Sequence, residues 1–152
     1  RAWRHKDGEI SAQQIERVAQ RVAAAGPGQL RVVVVHQPVA VPRTQDEPDL
    51  LHGHAAALQR WAQAGADIVM GGHIHLPYVM ALPGLARPMW AVQAGTAVSA
   101  RVRAGVPNSV NLLRWGADSQ PGCCLVEQWD FLAAGGAFVR AKVSEVWPNR
   151  SK

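Results

Sequence analysis

Two short apolar runs, Leu30 to Val35 and Asp67 to Met70, separated by one stretch of helical periodicity, constrain the fold of this chain more than any other feature. The first is a nearly uninterrupted β-branched run, and Pro38 just beyond it cannot extend a ladder. Between the runs, Ala57, Leu58, Trp61 and Ala62 recur at helical spacing over His54 to Ala64, and Gly65 supplies the stop. Strand, helix, strand in this order makes two parallel strands joined by a right-handed crossover. Their carboxyl ends then share one edge, which is where open α/β sheets usually bind ligands.

Three histidines fall on that edge. His36 ends the first strand, and Gly71-Gly72-His73-Ile74-His75 follows the second. Imidazoles at i and i+2 on an extended backbone share a face, glycines before them permit close backbone approach, and neutral imidazole is the commonest metal ligand. His36, His73 and His75 together read as half of a metal site. Blander readings hold elsewhere: His5 is solvated, His52 and His54 sit on the surface, and Trp61 and Trp129 occupy apolar-periodic positions that pack a core. The adjacent Cys123 and Cys124 point to opposite faces of a strand, so neither a mutual disulfide nor shared chelation is expected.

A strand ending in His-x-Pro, then a helix, then a strand ending in Gly-His-x-His resembles the C-terminal half of the calcineurin-like metallophosphoesterases. Ala91-Val92-Gln93-Ala94-Gly95-Thr96, a strand running into a tight turn, also fits that pattern, and so do Arg101, Arg103 and Asn108-Ser109 after it. The resemblance implies an α/β fold, the C-terminal half of a two-sheet β-sandwich flanked by helices, with a mixed sheet from the parallel β-α-β unit and antiparallel C-terminal strands. It also implies a phosphoric ester hydrolase with two divalent metal ions (manganese, iron or zinc), His36 and His73 on one and His75 on the other. A bimetallic centre polarises phosphoryl oxygens and generates hydroxide near neutral pH. Arg101, Arg103 and Asn108 are the candidate substrate contacts, and the substrate is a phosphate ester, with cyclic nucleotides among the candidates.

The family's other ligand motifs, an Asp-x-His, a Gly-Asp-x-x-Asp and a Gly-Asn-His followed by an acid, are absent from the sequence. No catalytic acid is identified in these residues. The expectation is therefore that residues 1–152 form one domain that is the C-terminal part of a longer one, inactive alone and partnered by its own N-terminal half. The alternative is a non-catalytic binding or interaction module on a remnant of the same fold.

Composition narrows the classes. At 152 residues and 48% hydrophobic, the chain can bury a core. No run approaches the roughly twenty apolar residues that span a bilayer, and the start lacks a signal-peptide pattern. These features and the lack of a disulfide framework point to a cytoplasmic protein with no membrane partner. The net charge of +5 is spread over Arg1, Arg4, Lys6, Arg17, Arg21, Arg31, Arg101, Arg103, Arg140 and Lys142 rather than concentrated in a tract, which argues against nucleic acid.

The remaining elements follow from local code. Ser11 with Gln14 makes a capping box and Ile10 with Ile15 a staple for a helix whose stripe is Ile15, Val18, Ala19 and Val22, ended by Gly26-Pro27. Pro42 to Pro48 is expected to be a loop bordering the site. Further strands are expected over Met89 to Gln93, Ser109 to Trp115, Cys123 to Phe131 and Ala137 to Trp147, the last three as a meander. In the last strand Ala137, Val139, Ala141 and Val143 alternate with Phe138, Arg140 and Lys142, which predicts one buried face.

Overall fold

A computed structural model of the chain describes residues 7–148, apart from the side chain of Asp118. Arg1, Arg4, His5 and Lys6 lie outside the described residues. Three layers stack in the order helices, mixed sheet, antiparallel sheet, which is the α/β architecture that the sequence predicts.

Helix α1 (Ala12–Ala23) starts as its code demands: Gln14 N–H donates to Ser11 Oγ at 3.3 Å, and Ser11 N–H donates to Gln14 Oε1 at 2.9 Å. Strand β1 (Val32–Val34) is shorter than the apolar run that predicts it. Helix α2 (His54–Ala64) closes on Gly65 at φ 102°, a left-handed cap that glycine adopts without strain. Strand β2 (Ile68–Gly71) follows, paired parallel to β1 with Val32 opposite Ile68. Strands β3 (Tyr78–Ala81) and β4 (Trp90–Gln93) complete a sheet of order β1-β2-β4-β3, with β4 parallel to β2 and β3 antiparallel to β4.

Strand alternation sorts this sheet's two faces. Val33, Val69 and Ala91 pack with Ile15, Ala19, Val22, Leu58 and Trp61 of the helices. Ile68 and Val92 turn the other way, onto Cys124, Val126 and Val146 of the second sheet. That sheet is a meander of β5 (Ser109–Arg114), β6 (Cys124–Leu132) and β7 (Ala137–Val146). Both cysteines are free and buried, and burial pushes the Cys124 thiol up to about 11, so neither is poised for thiolate chemistry. No helix among the described residues is long and apolar enough to cross a membrane.

Four local expectations need correction. Strand β3 adds to the strands that the sequence predicts, because Tyr78–Ala81 is a single short run beside Pro77 whose pairing comes only from β4. The segment expected as a loop from Pro42 to Pro48 runs into a 3-10 helix over Thr44–Asp49. Trp129 is only half-buried, on the outer face of the second sheet. Finally, β7 has no buried face over residues 137–143. A bulge opposite Gln128 and Trp129 changes its parity, so that Phe138, Arg140 and Val143 all pair with odd-numbered β6 residues and share the outer face.

That outer face carries a buried acid. Trp129 Nε1–H donates to Glu127 Oε2 at 2.9 Å, while Arg114 and Arg140 reach Oε1 at 3.1 and 3.2 Å. The indole bond foremost, then the two guanidiniums, hold this carboxyl below the usual carboxylate range against the opposing effect of burial. A carboxyl whose folded pKa is depressed stabilises the fold above its unfolded pKa of about 4.3, and that contribution disappears as pH falls through the folded value. Glu127→Gln is expected to lower Tm at pH 7 and to lower it less at pH 3, below the unfolded pKa, as thermal unfolding at both pH values would show. An equal loss at both would mean that packing, not charge, makes Glu127 matter.

Candidate metal centre

The carboxyl ends of β1 and β2 are tied together before either histidine motif begins. Val35 N–H donates to Met70 O at 2.9 Å, and Gly72 N–H donates to His36 O at 2.8 Å. Gly71 permits this closeness: a Cβ there would lie 2.6 Å from Gln93 Oε1 and 3.1 Å from Gln37 O. The glycine thus clears neighbouring protein rather than a ligand. Gln93, buried on β4, donates its amide to Gly72 O and fixes the strand end from the other side.

His73 and His75 are not on extended backbone, as their i, i+2 spacing suggests. Both are left-handed, at φ 68° and 54°, the only non-glycine residues with positive φ among those described. Ile74 between them is buried and donates its N–H to Gly72 O at 2.8 Å, so a tight turn carries Ile74 inward while both imidazoles line the cleft. Left-handed geometry costs a side-chain-bearing residue roughly 1–2 kcal/mol, and such strain persists where surrounding contacts over-determine it, commonly at functional sites.

His36, His73 and His75 do converge on one cleft of about 580 Å³, together with Gly95, Thr96, Arg101 and Arg103. His36 Nε2 lies 3.2 Å from His73 Nδ1, with the rings edge-on at 73°. Two nitrogens each about 2.1 Å from a common ion lie roughly 3.0–3.4 Å apart, so this pair has the span of a two-point chelate. His73 Nε2 faces Asp49 Oδ1 at 3.6 Å, placing a carboxylate behind the ring. His75 Nδ1 lies 2.6 Å from Arg101 O. A carbonyl only accepts, so Nδ1 carries the proton and Nε2 keeps its lone pair for a ligand.

The donors suit an imidazole-binding metal in kind but fall short in number. Among the described residues no group of three or more His, Cys, Asp or Glu side chains is placed to hold an ion. The three expected substrate contacts also differ in their freedom. Asn108 Nδ2 donates to Thr96 O and Ser99 O, each at 3.0 Å, which shapes the loop after β4. Arg103 Nη1 meets Asp46 Oδ1 at 2.8 Å. Arg101 is exposed at the cleft. His54 Nδ1 bonds Leu51 O at the start of α2, and His52 is exposed. Asp46, Asp49 and Gln93 escape sequence reasoning as individuals; Asp46 falls in the acid-bearing Pro42 to Pro48 stretch and Gln93 in the strand that runs into the Gly95-Thr96 turn.

No protein-family model and no curated protein matches the sequence. Among solved structures the chain is similar to Vps29 of Entamoeba histolytica complexed with zinc, at 21% identity and a TM-score of 0.44, covering 82% of this chain. A single mutant and a double mutant of the same protein match at 14% and 13% identity and TM-scores of 0.39 and 0.38, each covering 93% of this chain and 92% of the other. The chain spans 59% of the length of the zinc-bound structure.

Proposed function

We propose that this chain carries the imidazole half of a metallophosphoesterase-type site, and that these residues by themselves bind metal and phosphate ester rather than hydrolyse. The observation that carries the reading is the 3.2 Å approach of His36 Nε2 to His73 Nδ1 at the carboxyl edge of a parallel pair. His36 and His73 would hold one divalent ion, and His75 Nε2 would be a donor to a second. Manganese, iron and zinc all accept such donors. Metal bound there would polarise a phosphoryl oxygen and acidify a water. Arg101, exposed on the cleft wall, is the free cation for the phosphate among the three expected contacts, and a phosphodiester, a phosphomonoester or a cyclic nucleotide meets that chemistry.

The oxygen donors of a hydrolytic site would come from elsewhere, from the protein's own N-terminal half on the resemblance to the phosphoesterase family. A second reading, a binding module that never hydrolyses, is favoured by the want of a third donor among the described residues. Cobalt(II) titration followed by visible absorption, with bis-p-nitrophenyl phosphate hydrolysis in manganese, tests both. We expect cobalt binding by this chain without turnover, and turnover only when preceding coding sequence is included. Failure to bind cobalt would overturn the metal reading; binding without turnover in either form would establish the module.

A further inference from the structure

We infer that Arg103, clamped by Asp46, is a positioning residue that sets the imidazoles of His73 and His75, an inference that rests on the metal reading of the cleft. Its guanidinium joins three segments. Nε–H donates to Ile74 O at 2.6 Å, the carbonyl between the two histidines, while Nη1–H donates to Asp46 Oδ1 at 2.8 Å in the 3-10 helix Thr44–Asp49. Arg103 itself belongs to the loop between β4 and β5, and two residues earlier the same loop offers Arg101 O to His75 Nδ1. The strained turn is thus held twice from one side. Its strain gives the clamp a task, since two left-handed histidines persist only where neighbours fix them.

The acid is committed to this task at some expense. Asp46 is 3% exposed, and its Oδ2 is buried without a hydrogen-bond partner. Leaving a carboxylate oxygen unsatisfied destabilises a fold, and desolvation offsets much of the attraction within a buried ion pair. The arrangement is therefore better explained by what it positions than by what it stabilises. Two of the five guanidinium donors of Arg103, on Nε and Nη1, are directed at protein.

The test uses ring 1H–15N spectra of the metal-free chain, then cobalt(II) affinity, for Arg103→Met, Arg103→Lys and Asp46→Asn. We expect the His73 and His75 ring signals to move while His54, which bonds Leu51 O, stays fixed. Cobalt affinity should fall about 10–100-fold, the range for losing a group that orients a metal ligand. Lysine keeps the charge without the planar fork and should not rescue. Unchanged His73 and His75 signals in Arg103→Met, or full rescue by lysine, would overturn the inference. If Arg103→Met does not fold, Asp46→Asn decides by the same signals. Should the wild type bind no cobalt, the metal reading fails, and the ring spectra still decide whether Arg103 sets the imidazoles.

Discussion

Replacing Trp61 with alanine is expected to destabilise the chain by about 3–5 kcal/mol and to lower Tm by roughly 10–15 °C. Trp61 is fully buried at the heart of the cluster joining both helices to the mixed sheet. Its indole Nε1–H also donates to Ile15 O at 3.1 Å, so one side chain supplies both the packing and a polar tie between α2 and α1. Alanine leaves a large void that close-packed neighbours relax into only in part. Trp61→Phe retains most of the volume without the donor and should lose considerably less. Against a typical total of 5–15 kcal/mol, the alanine variant would stand near the limit of folding, as thermal unfolding by circular dichroism would show. A loss below about 1 kcal/mol would mean that α2 does not depend on this contact. The exposed Arg60–Glu16 pair between the same helices, 2.8 Å apart, would not offset the loss, because exposed ion pairs contribute little.

The helices and the parallel pair are legible in the sequence because their code is local. Ser11 and Gln14 make a capping box wherever the chain leads, and Ala57, Leu58, Trp61 and Ala62 fix the buried face of α2 by spacing alone. The site is legible in part for the same reason: a β-α-β unit forces His36 and His73 onto one edge. What cannot be read depends on contacts distant in sequence. Strand β3 exists through β4, the bulge in β7 through its register with β6, and the left-handed turn at His73 to His75 through Arg103 and Gln93. An extended reading of that turn brings both histidines to the cleft but gets their backbone wrong. Of Gly71 and Gly72, only Gly71 stands where a Cβ would clash, a distinction that no spacing rule contains.

His73→Gly is expected to separate stability from function. Glycine takes φ 68° without the steric cost that histidine bears there, although its freer unfolded chain gives back part of the gain. Removing the ring takes away its approach to His36 Nε2, an exposed partner, and to Asp49, at a distance of 3.6 Å. The variant should therefore unfold within about 1 kcal/mol of wild type, on the stable side if strain relief dominates. Cobalt(II) affinity should nevertheless fall more than about 100-fold, beyond the 10–100-fold that follows loss of a group merely orienting a ligand. His75→Gly, at φ 54°, should show the same tolerance of folding but leave the His36–His73 chelate in place, and with it most of the affinity for a first ion. The contrast between the two variants is the decisive reading: equal loss of affinity in both would mean that one ion is shared by all three imidazoles. A His73→Gly variant that binds cobalt as wild type does would remove His73 from the centre altogether. A strained residue that can be relaxed with little harm to the fold but not to binding is what a site held for its ligand, rather than for packing, requires.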